Sequence, residues 1–190
     1  MAPDQADVTI QDVYAALVHD RRRNELIASD LIGAVQAGRS PLLLTGRTEH
    51  LKNFAAQLSG LLKNVFVLKG GMGKKQRQAL AEALAAVSEV EQRVILATGS
   101  YIGEGFDDAR LDTLFLAMPI SWRGTLQQYV GRLHRLHDNK RVVQVYDYVD
   151  AQVPMLARMY ARRLKGYSAI GYSIEQQTAD VLPLGAATDG

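Results

Sequence analysis

The chain contains no cysteine, so neither a disulfide nor a thiolate-ligated metal centre is available to it. Its four histidines, at 19, 50, 134 and 137, show no ligand spacing, and His134 and His137 read as surface neighbours rather than zinc ligands. No run of about 18 apolar residues occurs, and no apolar signal segment opens the sequence; the expectation is a cytoplasmic protein with no membrane partner. A dominant charge is missing as well. Lys and Arg number 22 against 20 Asp and Glu, a net charge of +2, so no overall field imposes a polyanionic partner. Basic residues do cluster at 21–23, 132–141 and 158–165, runs that are more often solvated faces than binding stripes. Internal repeats and low-complexity linkers are also lacking. What remains is 190 residues with 47% hydrophobic content, enough for one buried core.

The most informative stretch is 126–136. At helical spacing, Leu126, Tyr129, Val130, Leu133 and Leu136 cover one side, the pattern of a helix backed by a core. Gln128, Gly131, Arg132 and Arg135 fall in a narrow arc on the other side. An amide and two guanidiniums around a glycine suit recognition of a polyanion, above all a nucleoside triphosphate. Two arginines alone would read more simply as a solvated face.

The upstream sequence changes that balance. Residues 94–98 are a short apolar run of strand type, followed by a glycine-rich stretch to Asp107; a second buried-strand pattern at 111–118 is closed by Pro119. Strand, glycine-rich loop, strand and arginine-bearing helix is the order found in the second motor domain of superfamily 2 (DEAD/DEAH-type) helicases, which this chain resembles over roughly 40–150. Gln128, Gly131, Arg132 and Arg135 match all four fixed positions of the family's motif VI, Q-x-x-G-R-x-x-R, and 98–107 resembles motif V. The stretch 98–107 is one residue longer than in the common DEAD-box form, and Gln128 stands where that form has histidine. The wording of 101–108 and 133–137 is most similar to bacterial helicases of the restriction and defence kind, which act on DNA.

That resemblance implies several roles. Arg132 and Arg135 would be arginine fingers on the γ-phosphate of ATP, with Gln128 as the nucleotide-sensing amide and Gly131 beside it. Gly105 and Asp107 would approach the ribose, although on local grounds Asp107 serves equally well as a turn cap with Asp108. Nucleic acid, DNA rather than RNA, would meet Thr45 and Arg47 (motif IV), Gly70 and Gly71, and Thr98. Tyr101 could stack on a base or fill a core or lid position.

A phosphate-binding loop of its own is not encoded. The stretch ending Gly73-Lys74-Lys75 has Leu68 where the pattern needs glycine, and Lys75 where it needs Ser or Thr. The loop could hold one phosphate through its amides, or be a plain turn. The ATP and its Mg2+ would then be bound mainly by an N-terminal RecA-like domain, in cis or trans, and the chain alone would be inactive. The alternative is a non-catalytic module of helicase-like fold that binds nucleic acid or protein.

Elsewhere, helices are expected at 10–18, with Thr9 as cap, and at 24–37, ended by Gly38. These would be scaffold rather than a helix-turn-helix reader. Strands follow at 42–45, 65–68, 94–98, 111–118 and 142–148. Between and after them come helices at 48–58, capped by Thr48, at 74–87, and from Pro154 to about 165. Residues 168–174 could add an edge strand. The alternation predicts an α/β, RecA-like three-layer sandwich with a mostly parallel sheet and right-handed crossovers. The expected division is a helical lead-in (1–38), the RecA-like domain (39–175) and a flexible tail (176–190).

Overall fold

The computed structural model describes residues 8–103, 107–121, 126–135, 137, 140 and 142–177, with backbone only at 102 and 103. Helix α1 (Ile10–His19) opens on a reciprocal cap: Thr9 Oγ1 accepts from the Asp12 amide, and the Asp12 carboxylate accepts from the Thr9 amide at 2.9 Å. Helix α2 (Arg21–Gln36) begins three residues before the expected Asn24, because the Asp20 carboxylate caps the Arg23 amide at 3.0 Å. It ends as expected at Gly38, whose φ of 79° suits a residue without Cβ. Then follow β1 (Pro41–Thr45), α3 (Thr48–Ser59), β2 (Val65–Leu68), α4 (Lys74–Ala86), β3 (Val94–Thr98), α5 (Gly99–Gly103), β4 (Thr113–Leu116), α6 (Gln127–Leu133), β5 (Gln144–Asp147) and α7 (Pro154–Ala169).

All four strand pairings are parallel and the order is β2-β3-β1-β4-β5. The central strands β1, β3 and β4 are buried throughout, which is why they read as unbroken apolar runs. Their pleat sends alternate residues to two cores. Leu42, Leu44, Ile95, Ala97, Leu114 and Leu116 meet α6 and Leu84 of α4. Leu43, Leu96 and Phe115 meet Ile27, Leu31 and Val35 of α2 and Leu51, Phe54 and Leu58 of α3. Each such leucine buried contributes on the order of 2 kcal/mol. The protein is thus the expected α/β sandwich with helices on both faces of a parallel sheet.

Several expectations need correction. The second lead-in helix is part of the sheet's own core, so residue 38 marks no break in packing, and α2 is scaffold as anticipated. Thr48 does not cap α3; Arg47 occupies the cap position without a side-chain bond. Residues 168–174 form no strand, because α7 runs on to Ala169 and turns off at Gly171, where φ is 86°. Strand β5 begins at Gln144 rather than at 142. Most of the predicted tail, 178–190, lies outside the described residues.

Candidate nucleotide and nucleic-acid faces

Helix α6 forms because Leu126, Tyr129, Val130 and Leu133 recur at core spacing, and all four are buried. The Tyr129 hydroxyl donates to the Gly99 carbonyl at 2.8 Å, tying α6 to the carboxyl end of β3; burial pushes this phenol up to about 12. On the opposite face Gln128 and Gly131 are exposed, and open space lies over Gly131 where a Cβ would stand. Arg132 is half-buried and lines a small cleft with Leu42, Asp108, Leu111, Leu114, Tyr129 and Leu133. Leu42 and Leu114 sit at the amino-terminal halves of β1 and β4, so α6 runs antiparallel to the strands and carries Arg132 down the flank of the sheet.

Arg135 is not on the helix. The chain leaves α6 at Leu133 through tight turns, with His134 N–H on Gly131 O at 3.3 Å and Arg135 N–H on Arg132 O at 3.1 Å. Its guanidinium instead pairs with Asp107, at side-chain exposures of 56% and 37%. Lys140 closes the turn by donating to the carbonyls of Leu133 and Arg135, both at 2.8 Å. Burial lowers the Lys140 ammonium, against the pull of Asp112, Asp108 and Asp107. Asp108 is held by buried Arg93 at 2.6 Å, and His137 lies 3.3 Å from Glu89. The described part of the basic run 132–141 is therefore laced with carboxylates, and Arg132 and Arg135 both look onto the 107–108 turn. Gly105 lies outside the described residues.

The nucleic-acid candidates gather elsewhere, at the carboxyl ends of β1, β2 and β3. Gly70 donates its amide to Thr98 Oγ1 at 3.1 Å, and Thr98 Oγ1 lies 3.2 Å from Ser100 Oγ. A Cβ on Gly70 would lie 2.5 Å from Ser100 Oγ and 3.3 Å from Ser100 Cβ, so any side chain here would force the serine hydroxyl to turn away from Thr98. At Gly71, exposed with φ of 78°, the backbone conformation itself requires glycine. Thr45 is corrected: its hydroxyl is buried against His50 Nδ1 at 3.0 Å and faces no solvent. Of the two readings open to Tyr101 the structure has the core one, since the residue is 8% exposed and its ring is not available to a base. Arg47 is half-buried, bonded to Gln11 and set 6.0 Å over the Tyr14 ring.

His50 escaped sequence reasoning, because no ligand pattern surrounds it. Fully buried, it sits between Thr45 and Asn24, and burial, then the charges of Arg23 and His19, bring it down to about 4. An unfolded histidine titrates near 6.5. As pH falls, the unfolded chain takes up the proton first; the stabilisation is whole above about 6.5 and is lost between there and about 4. A gap of that size corresponds to about 3 kcal/mol. Chemical denaturation at pH 7 and pH 4.5 should show this loss in the native chain and a flatter dependence in His50→Leu. Equal pH dependence of the two would contradict the assignment.

Among the described residues, no group of His, Asp and Glu could hold a metal ion, and no helix is long and apolar enough to cross a membrane. No protein-family model matches the chain. Uncharacterized protein 108L of Invertebrate iridescent virus 3 is 34% identical over 84 residues, which cover 44% of this chain and 76% of the viral protein. The chain belongs to the family of that protein. Transcript termination protein OPG145 of Variola virus is 26% identical over 118 residues, or 61% of this chain; the match spans only 23% of the viral protein's length. Among solved structures, T4 UvsW superposes with a TM-score of 0.67 at 18% identity, covering 86% of this chain and 36% of UvsW. The E. coli DEAD-box protein SrmB, solved bound to the regulator RraA, gives 0.54 at 21% identity over 74% of this chain and 79% of its own. The fold is that of a RecA-like helicase domain.

Proposed function

We propose that this chain is the carboxy-terminal motor domain of an ATP-driven superfamily 2 helicase or translocase acting on DNA. Arg132 and Arg135 would complete an ATP site shared with a first RecA-like lobe. The observation that carries this reading is the Arg135–Asp107 pair on an exposed flank, next to Arg132. A carboxylate already sits against that guanidinium, so the position is built to receive anionic oxygen, and a phosphate oxygen fits the same donor. Bound ATP with Mg2+ would supply the hydrolysable phosphoanhydride. Here Arg132 and Arg135 would stabilise its γ-phosphate charge, Gln128 would hydrogen-bond nearby, and Gly131 would allow close approach. Asp107 has two claims on it, the ribose and Arg135, and engagement of nucleotide would exchange one for the other.

Nucleic acid would run across the carboxyl edge, at Arg47, Gly70 and Gly71, with sugar and phosphate rather than base contacts, while Thr98, itself buried, would hold the Gly70 amide from behind. The preference for DNA rests on the resemblance to defence-type helicases. The test is ATP turnover. The isolated chain is expected to hydrolyse essentially none, and joining it to its first RecA-like lobe should restore turnover that nucleic acid stimulates. Substantial hydrolysis by the chain alone, or none after joining, would overturn the reading. Tight nucleotide-independent binding of single strands without restored turnover would instead favour a non-catalytic binding module.

A further inference from the structure

The fully buried His50 takes no part in the arginine cluster, yet it stands directly behind the turn at the carboxyl end of β1. Its Nδ1 is 3.0 Å from Thr45 Oγ1, its Nε2 is 2.8 Å from Asn24 Oδ1, and its ring packs on Phe54 with centroids 4.7 Å apart. The polarity of this chain of bonds is set at its far end. Asn24 Nδ2 lies 2.9 Å from the Val18 carbonyl and 3.4 Å from that of Leu17, and carbonyls only accept. The amide nitrogen must face them, so Oδ1 faces His50, and Nε2 must carry the imidazole proton. The neutral ring then presents a lone pair at Nδ1, and the Thr45 hydroxyl donates to it. Thr45 Oγ1 keeps its own lone pairs for the Arg47 amide, 3.4 Å away.

The side chain of Arg47 is tied to α1, through Gln11 and the face of Tyr14. Both the main chain and the guanidinium of the turn thus take their position from α1 and α2. We infer that His50 is a positioning residue for nucleic-acid binding: it locks the 45–47 turn onto Asn24 and so holds Arg47 at the carboxyl edge of the sheet. His50 touches no ligand and acts through Thr45 and Arg47. The inference rests on the reading that Arg47 meets nucleic acid.

The test uses the 190-residue chain and a fluorescein-labelled oligo-dT, with anisotropy titrations at several salt concentrations. Arg47→Gln is expected to weaken binding and to make the salt dependence shallower by about 0.7, one single-strand phosphate contact. His50→Leu should weaken binding about threefold or more. The double variant should bind no worse than Arg47→Gln, since a residue acting through Arg47 then has nothing to act on. Thr45→Val, which removes one hydroxyl and little volume, should reproduce the loss should His50→Leu fail to fold. Imidazole 15N resonances at neutral pH should show the Nε2-protonated tautomer. Additive losses in the double variant overturn the inference, as does native affinity in Thr45→Val and His50→Leu alongside a weakened Arg47→Gln. An Nδ1-protonated ring does the same. Native affinity in Arg47→Gln removes the underlying nucleic-acid reading, and this inference with it.

Discussion

In the protein joined to its first RecA-like lobe, Arg132→Ala or Arg135→Ala is expected to cut nucleic-acid-stimulated ATP turnover by a factor on the order of 10³ or more. That factor corresponds to about 4 kcal/mol of transition-state stabilisation. The two variants differ in what else they disturb. Arg135 and Asp107 are both substantially exposed, so the ion pair they now make adds little to stability and Arg135→Ala should leave the fold intact. Arg132 lines a cleft floored by Leu42, Leu111, Leu114 and Leu133, and its truncation also removes packing. Denaturation curves of both variants separate that contribution from the kinetic one. Loss should fall on kcat rather than on KM, the sign of an interaction made chiefly in the transition state. Arg135→Lys keeps the charge but not the planar fork, and should recover only a small part of the rate. Unchanged turnover in both alanine variants would remove the finger assignment.

The fold was legible where burial makes a local signal. Strands β1, β3 and β4 are covered on both faces, so nearly every residue must be apolar, and they stand out in the sequence. Helix α6 declares itself by the spacing of Leu126, Tyr129, Val130 and Leu133. The arginine arc was legible in composition but not in conformation, because Arg135 leaves the helix through a turn that no periodicity reveals. Tyr101 was ambiguous for a physical reason: a tyrosine suits a core and a stacking platform equally well, and only the fold puts its ring inside. Least visible were the buried ionic contacts. Arg23 reaches Asp150 across 127 residues and also takes the Ala117 carbonyl; the basic run containing it looks like any solvated cluster. The same holds for Arg163, in a run expected to face water.

Arg163→Met is expected to destabilise the chain by about 3–5 kcal/mol, the cost of leaving a buried carboxylate without its partner. At this chain length that is a fall in melting temperature of roughly 10 °C. The guanidinium, 1% exposed, grips both oxygens of Asp147 at 2.6 and 2.8 Å and donates its remaining arm to the Ile120 carbonyl at 3.1 Å. Tyr167 adds a hydroxyl to the same carboxylate at 3.0 Å; its phenol is raised by burial first and by Asp147 second. Asp147 ends β5 and Ile120 follows β4, so one side chain pins α7 to the carboxyl ends of two neighbouring strands. The coupled variant Arg163→Met/Asp147→Leu removes both charges together and should recover much of the loss, since no buried ion is left uncompensated. Recovery will be incomplete, because the Tyr167 hydroxyl and the Ile120 carbonyl each lose a partner. Guanidinium denaturation of the two variants decides the matter: an Arg163→Met chain within about 1 kcal/mol of native stability would mean that water reaches Asp147 and that α7 is held by its apolar contacts, Leu156 foremost, rather than by charge.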